Sequence, residues 1–299
     1  MRLNPPGYDR SKEPPSWLII LFGFSPSDDK AKKLRRMKHL FHMLQFVYLA
    51  PATIVISWPE RDRQDFRHFW DSVVPKADQH MWASRFHGHE RPNFTKLSED
   101  RSYLEKRYTQ PGHLIAIFDA DLKHVRNLGL TGAVSRTQCR DPRDFAAMFQ
   151  QVRKAVALYP EYTIWMFQDR NTPSEDAKRD RQYEPLREFG GNNPVPKTRS
   201  HIFFFNAKAP GAYAPQGQAW SKCEDVYRLL AEKEAGGKFG VSCWQQTWIQ
   251  FEVSGNYKQD PEWNCNREYL HSRYGLSLKD RSRTYESNES DDVDPVCSI

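Results

Sequence analysis

The feature that most constrains this sequence is the apolar run His113–Phe118, which stops at two aspartates separated by one residue, Asp119 and Asp121. A short apolar run closed by acidic residues is typical of a buried β-strand whose end carries charge. Alternate residues of an extended chain lie on the same face, so the two carboxylates are predicted to converge on one small volume. Two carboxylates at such a short distance repel each other unless a cation lies between them.

The predicted cation is Mg²⁺ or Mn²⁺. Hard oxygen ligands suit these ions, and Mg²⁺ is commonly shared between one or two carboxylates and substrate phosphates. Asp119 and Asp121 therefore predict a metal-dependent enzyme that acts on a nucleotide. The alternative is structural, because acidic residues at a strand end also cap the turn or helix that follows.

Strand and helix patterns alternate along the first half of the chain. The predicted elements are a strand at Trp17–Ser25, a helix spanning Leu34–Tyr48, a strand at Ala52–Trp58, a helix near Asp65–Val73, a strand at Met81–Phe86, a helix near Ser98–Tyr108 and the strand that ends at Asp119. This alternation predicts an α/β fold with a mostly parallel sheet flanked by helices. Ligands bind beyond the carboxyl ends of such strands, so Ser25 and Glu60 are predicted near Asp119 and Asp121.

The second half of the chain predicts a mixed arrangement of strands and helices. Its predicted elements are a helix at Asp144–Leu158, strands at Tyr162–Phe167 and His201–Phe205, a helix at Ser221–Ala235 and a possible strand pair at Gly240–Val253. The predicted organisation is an N-terminal extension (1–15), one catalytic α/β domain (16–285) with a mobile loop (171–197), and an acidic disordered tail (286–299).

The charge is divided unevenly between the body of the chain and its end. The formal net charge is +6, but the last twenty residues contain six acidic and two basic residues, which leaves −4 on that segment and +10 on the rest. A basic body suits nucleotide substrates and also nucleic acid. A non-enzymatic basic module, either nucleic-acid-binding or viral structural, is therefore an alternative class. It predicts that replacing Asp119 and Asp121 leaves function intact.

The cysteines and the apolar segments indicate the compartment. The five cysteines include no C-x-x-C pair, which argues against a disulfide framework and a structural zinc site. No apolar segment has the length of a membrane span, and Met1–Pro15 lacks the apolar core of a signal peptide. We therefore expect a reducing, cytoplasmic location.

The P-loop, G-x-G-x-x-G and G-x-S-x-G motifs are absent, so ATPase, dinucleotide oxidoreductase and α/β-hydrolase functions lack their usual support.

The segment FDADLKHVRNL (118–128) resembles the metal-binding motif of glycosyltransferases of the GT-A fold, and the resemblance covers residues 16–130 in outline. It implies that Asp119 and Asp121 hold Mn²⁺ or Mg²⁺ against the diphosphate of a nucleotide sugar, which stabilises the leaving group. It also implies nucleoside contacts at the strand ends marked by Ser25 and Glu60.

The same family implies sites further along the chain. Phe205-Asn206-Ala207 is similar to its acceptor-side turn, although Lys208 stands where a small residue is expected, and His271 matches a third metal ligand that some members place near the C-terminus. Apart from this resemblance, Asp169 follows the predicted strand Tyr162–Phe167 near the expected active edge and is a candidate general base or acceptor contact. A turn cap is its structural alternative.

From residue 113 onward the chain also resembles primase-polymerases of the archaeo-eukaryotic type. The segment KTRSHIFF (197–204) is similar to their Ser/His motif, which implies that Lys197 and His201 bind oxygens of a nucleoside triphosphate. Asp260 is then a candidate third carboxylate, and two metals on Asp119 and Asp121 would activate a 3′-hydroxyl.

Separately, His87 and His89 lie on one side of an extended segment and are a candidate metal pair, with a surface loop as the alternative.

Overall fold

A computed structural model describes residues 8–21, 52–73, 86–119, 122–127, 142–167, 200–242, 245–249, 260–276 and 278. The chain divides into two compact units, Met1–Phe251 and Glu252–Ile299. The predicted helix at 34–48, the loop at 171–197 and the tail at 286–299 lie outside the described residues.

The described residues contain nine strands and five α-helices. The strands are β1 (Ser16–Leu21), β2 (Ala52–Pro59), β3 (Phe86–Arg91), β4 (Leu114–Asp119), β5 (Leu122–Asn127), β6 (Ile164–Phe167), β7 (Ser200–Phe205), β8 (Phe239–Ser242) and β9 (Gln245–Ile249). The helices are α1 (Arg63–Val73), α2 (Leu97–Tyr108), α3 (Pro142–Leu158), α4 (Glu224–Glu234) and α5 (Pro261–Tyr274). Short 3-10 helices occupy Arg10–Lys12 and Glu60–Asp62.

Seven of the described strands form one sheet in the order β3-β2-β1-β4-β7-β6-β8. Strands β3, β2, β1 and β4 are parallel, whereas β7 runs antiparallel to both β4 and β6. Strands β5 and β9 form a separate antiparallel pair. The predicted fold class, a mostly parallel α/β sheet with a mixed C-terminal half, is therefore confirmed.

The central strands form because their sequences are apolar on both faces. In β4, Leu114, Ile115 and Ala116 are at most 1% exposed, and in β7 the stretch Ile202–Phe205 is buried throughout. Near-continuous apolar runs are typical of strands that are covered on both faces. Helix α3 contributes Phe149, whose ring centroid lies 5.6 Å from that of Phe203.

Helix boundaries follow capping chemistry. At the start of α2 the backbone N–H of Lys96 donates to Glu99 Oε2 at 3.1 Å, which is half of a capping box. At the start of α5 the Asp260 carboxylate accepts the N–H groups of Glu262 (2.9 Å) and Trp263 (3.2 Å), and a left-handed Gly275 (φ 64°) ends the helix.

The structure corrects three features of the predicted element map. The described third strand is Phe86–Arg91, which was not predicted beyond Phe86, because this strand lies at the edge of the described sheet, where charged and polar residues are tolerated. Residues 81–85 of the strand predicted at Met81–Phe86 lie outside the described residues. The strand pair predicted within Gly240–Val253 is two strands with different partners, since β8 pairs with β6 and β9 with β5. Helix α5 was not predicted.

A fully buried ion network fixes the segment that follows β7. Arg228 of α4 donates Nε and Nη2 to Glu105 of α2 (3.0 and 2.6 Å) and Nη1 to Glu232 (2.9 Å). The same carboxylates accept the backbone N–H groups of Lys208 and Gly211, at 2.7 and 2.9 Å. All three charged side chains are 0% exposed. The network therefore ties α2, α4 and the segment after β7 together.

The charges of this network are mutually stabilised. Burial lowers the pKa of Arg228, but the charge and hydrogen bonds of Glu105 outweigh that effect and leave the pKa raised. Burial raises the pKa of Glu232, but the Arg228 guanidinium and the N–H of Lys208 hold it below its usual value. Burial and the Glu105 charge raise the pKa of Tyr213 well above the ordinary tyrosine value.

The described part of the predicted N-terminal extension packs against α3. Arg153 Nε donates to the backbone oxygen of Pro14 at 2.7 Å, and its Nη1 lies 3.2 Å from a carboxylate oxygen of Glu13. Tyr8 donates its hydroxyl to Glu13, and burial and Glu13 together raise the pKa of Tyr8 to about 12. Among the helices described, we find none with the length and apolar character of a membrane span.

Candidate functional site

The chain order of the parallel strands defines a switch point between β1 and β4. From β1 the chain passes to β2 and then β3 on one side, and it returns to β4 on the other side of β1. Open α/β sheets bind ligands at the carboxyl ends of strands where the order reverses in this way. Leu21 and Asp119, the last residues of β1 and β4, are register partners. The backbone of Asp119 therefore lies at this switch point.

One row of register partners crosses the four parallel strands at the last residues of β1 and β4. His89 of β3 is the register partner of Ser57, Ser57 is the partner of Leu21, and Leu21 is the partner of Asp119. Register partners in parallel strands lie on the same face of a sheet. Adjacent strands are about 4.8 Å apart, which puts β2 about 10 Å from β4.

Strand β7 brings the Ser/His segment to the same edge. Ile117 of β4 is the register partner of Ile202, and the two strands run antiparallel. The pairing with β4 ends at this step, and His201 is the next residue of β7 beyond it. The backbones of His201 and Asp119 therefore lie on adjacent strands near the same edge of the sheet.

Asn206 lies at the opposite edge of the sheet. Its neighbour Phe205 pairs with Leu114, the first residue of β4, which is about 17 Å from Asp119 at about 3.3 Å per residue. Asn206 adopts a left-handed backbone (φ 49°), and its Oδ1 accepts the N–H of Gly112 at 2.8 Å. The structure does not bring Asn206 together with Asp119, and turn geometry explains this residue.

Glu60 directly follows β2 at the carboxyl edge, in the short helix Glu60–Asp62. Its side chain is 60% exposed, and a carboxylate oxygen lies 3.7 Å from Arg63 Nη2. Arg63 also donates Nε to Glu90 at 2.6 Å. Glu60 is therefore on the same edge as Asp119 and is accessible to a ligand.

Two further candidates lie on α5, in the unit Glu252–Ile299. Asp260 caps this helix, so its carboxylate has a structural role that explains it without a metal. His271 is exposed in the last turn, where a basic side chain is favourable near the helix C-terminus. Its role as a metal ligand stays a prediction. Ser25, Asp121, Asp169 and Lys197 lie outside the described residues.

His87 and His89 belong to β3 rather than to a surface loop. The His89 ring is hydrogen-bonded to the Tyr103 hydroxyl (3.2 Å) and meets the Tyr108 ring edge-on. Burial lowers the pKa of His89, and the charges of nearby arginines add to the effect. Within the part of the chain that the structure describes, no group of three or more His, Cys, Asp or Glu side chains is placed to hold a metal.

The donor set at the end of β4 fits a divalent metal by its chemistry. Asp119 and Asp121 supply two carboxylates from alternate positions, and hard oxygen ligands of this kind suit Mg²⁺ and Mn²⁺.

Sequence reasoning missed Ser57, a residue of the row of register partners that contains Asp119. It is 0% exposed, and its hydroxyl has no hydrogen-bond partner among the described residues. A polar residue inside the apolar run of β2 was the available signal.

No protein-family model matches this sequence, and a search of curated proteins finds no relative. Among solved structures, a nucleotide-diphospho-sugar transferase of Desulfovibrio desulfuricans G20 is 13% identical, with 88% of this chain and 98% of that chain covered and a TM-score of 0.43. A 4-diphosphocytidyl-2C-methyl-D-erythritol synthase of Anaerococcus prevotii DSM 20548 is 9% identical, with 87% and 97% covered and a TM-score of 0.44. GalNAc-T7, solved with UDP, GalNAc and Mn²⁺, is 12% identical, with 86% of this chain and 47% of that chain covered and a TM-score of 0.42.

The identities of these three structures to this chain are 9 to 13%, and their TM-scores are below 0.5. The fold and the site together define an α/β protein with an acidic strand end at its switch point.

Proposed function

We propose that this chain is a divalent-metal-dependent transferase that moves a sugar from a nucleotide-sugar donor to an acceptor. Asp119 and Asp121 bind Mn²⁺ or Mg²⁺ in this proposal, and the bound metal neutralises charge that develops on the leaving diphosphate. The observation that supports it is the position of Asp119, at the last row of β4 and beside the last residue of β1.

Three other predicted residues have roles in this proposal. Glu60 is proposed as a nucleoside contact because it is exposed at the carboxyl edge that contains Asp119. Ser25 is proposed as a second nucleoside contact and Asp169 as a general base or acceptor contact. Asn206 has no role in this proposal, because it lies at the far edge of the sheet.

A nucleotidyltransferase is the second candidate, and the position of His201 favours it. Its support is that β7, the strand that contains His201, is the neighbour of β4 in the sheet, and a triphosphate held by metals on Asp119 and Asp121 would lie at the end of β4. Lys197 and His201 would then bind phosphate oxygens, and the reaction would join a nucleoside monophosphate to a hydroxyl and release pyrophosphate. The basic body of the chain suits a nucleic acid as the partner of such an enzyme.

Thermal unfolding with nucleotides and Mn²⁺ separates these candidates, because a ligand that binds the folded state raises its stability by mass action. The ligands are UDP, GDP, their sugar conjugates and a mixture of deoxynucleoside triphosphates. The proteins are wild type, Asp121→Asn and, as a matched control, Asp71→Asn, which changes an exposed aspartate on α1.

We expect a Mn²⁺-dependent rise in Tm with a nucleoside diphosphate or its sugar, in wild type and Asp71→Asn but not in Asp121→Asn. A response to triphosphates alone supports the nucleotidyltransferase. If no nucleotide shifts Tm in a metal-dependent way, both proposals are wrong, and Asp119 and Asp121 are turn residues of a binding or structural protein.

A further inference from the structure

Ser57 is a buried polar residue within an apolar strand. In β2, Val55, Ile56 and Ser57 are each at most 1% exposed. Among the residues that the structure describes, the Ser57 hydroxyl has no hydrogen-bond partner. A buried hydroxyl without a partner costs free energy, and such groups are rare enough in folded proteins to need an explanation.

The position of Ser57 in the sheet supplies an explanation for this hydroxyl. It belongs to the row of register partners that contains Leu21 and Asp119, two strand spacings, about 10 Å, from β4. On its other side, His89 has its own hydrogen bond with Tyr103. Strand β2 also continues two residues beyond this row, to Pro59, and so flanks the switch point.

We infer that Ser57 is a ligand-binding residue whose hydroxyl bonds to the nucleoside part of the nucleotide. The inference rests on the proposed function, in which the phosphates of that nucleotide bind at Asp119. A nucleoside diphosphate in an extended conformation reaches from β4 across β1 to β2, and it carries ribose and base groups able to donate or accept a hydrogen bond. Because the hydroxyl is covered in the free chain, this role requires the atoms that cover it to move when the nucleotide binds.

This role predicts opposite effects on stability and on binding. Ser57→Ala removes a buried hydroxyl that has no partner, so the free protein keeps or gains stability. The same change removes a hydrogen bond to the ligand and weakens binding. If Ser57 had only a structural role, its mutation would destabilise the protein and leave ligand binding unchanged. The changes in stability and in binding therefore distinguish the two roles.

The experiment compares wild type, Ser57→Ala and Ser98→Ala. Ser98 is a matched control because it is also buried, but its Oγ accepts the N–H of Trp220 at 2.8 Å. Calorimetric titration with Mn²⁺ gives Kd for UDP, GDP, ADP and CDP, and for inorganic pyrophosphate, which has phosphates but no nucleoside. Thermal unfolding without ligand gives Tm.

For Ser57→Ala we expect an unchanged or higher Tm, an unchanged Kd for pyrophosphate and about a tenfold higher Kd for the preferred nucleoside diphosphate, which is the change expected from one hydrogen bond. Ser98→Ala should lower Tm and leave both Kd values unchanged.

Three results would overturn the inference while leaving the proposed function intact: an unchanged nucleotide Kd in Ser57→Ala, an equal loss for pyrophosphate, or a fall in Tm like that of Ser98→Ala. If no nucleoside diphosphate binds wild type in the presence of Mn²⁺, the proposed function fails and the inference fails with it.

Discussion

Replacing Arg228 by leucine tests whether the buried ion network holds the segment after β7 to the two helices. The change leaves the carboxylates of Glu105 and Glu232 buried without their cation and removes three charge-assisted hydrogen bonds. Hydrogen bonds to charged groups contribute about 1.5–3 kcal/mol each, and breaking a buried ion pair by removing one partner costs about 3–5 kcal/mol. Protonation of the stranded carboxylates limits the loss, so we expect a decrease of about 4–5 kcal/mol in the free energy of unfolding at pH 7.

Urea unfolding measures this decrease as a lower midpoint at an unchanged m-value. Arg63→Leu is the control, because that arginine also pairs with a glutamate but is 47% exposed, and we expect it to leave the midpoint nearly unchanged. If Arg228→Leu fails to fold, Glu232→Gln replaces it, with an expected loss of about 1–3 kcal/mol. A loss below about 1 kcal/mol in both variants would show that the network is not structural.

Three further predictions concern separate parts of the chain. Arg228 lowers the pKa of Glu232, so the ionised Glu232 carboxylate contributes fully to stability above about pH 4.3, and this contribution is lost as pH falls through the lowered pKa. Glu232→Gln should therefore flatten the acid limb of a stability–pH curve measured by urea unfolding. Asp260→Ala should cost about 1 kcal/mol by loss of the α5 cap, measured in the same way, and should leave Mn²⁺ affinity unchanged; a lost Mn²⁺ site would make Asp260 a ligand. Gly240→Ala places a Cβ 2.5 Å from the buried Trp165 ring and should cost about 1–3 kcal/mol in thermal or urea unfolding, with an unchanged midpoint contradicting the packing.

The central strands were predictable because their own residues specify them. The apolar runs that become β1, β2, β4 and β7 are visible in sequence without any knowledge of their neighbours, and the described side chains of β4 and β7 are buried. Strand β3 was not predicted beyond Phe86, because an edge strand has no need of a continuous apolar run, and its sequence FHGHER is polar.

The placement of site residues depended on topology, which local patterns do not contain. Sequence reasoning placed Asp119 at a strand end correctly, but the direction of β7 decides that His201 reaches this edge while Asn206 lies at the other. The pairing of Arg228 with Glu105 spans 123 residues and has no local signature. Ser57 stands out only once its burial and missing hydrogen bond are known.

The most direct test of the account is the affinity of UDP and the other nucleoside diphosphates, measured by calorimetric titration with Mn²⁺ and again with a chelator. The proteins are wild type, Asp119→Asn and the control Asp71→Asn. The account predicts that Mn²⁺ strengthens binding at least tenfold in wild type and Asp71→Asn, and that Asp119→Asn loses this dependence while keeping its Tm. Equal affinities with and without metal, or an unchanged metal dependence in Asp119→Asn, would contradict a metal site at the end of β4.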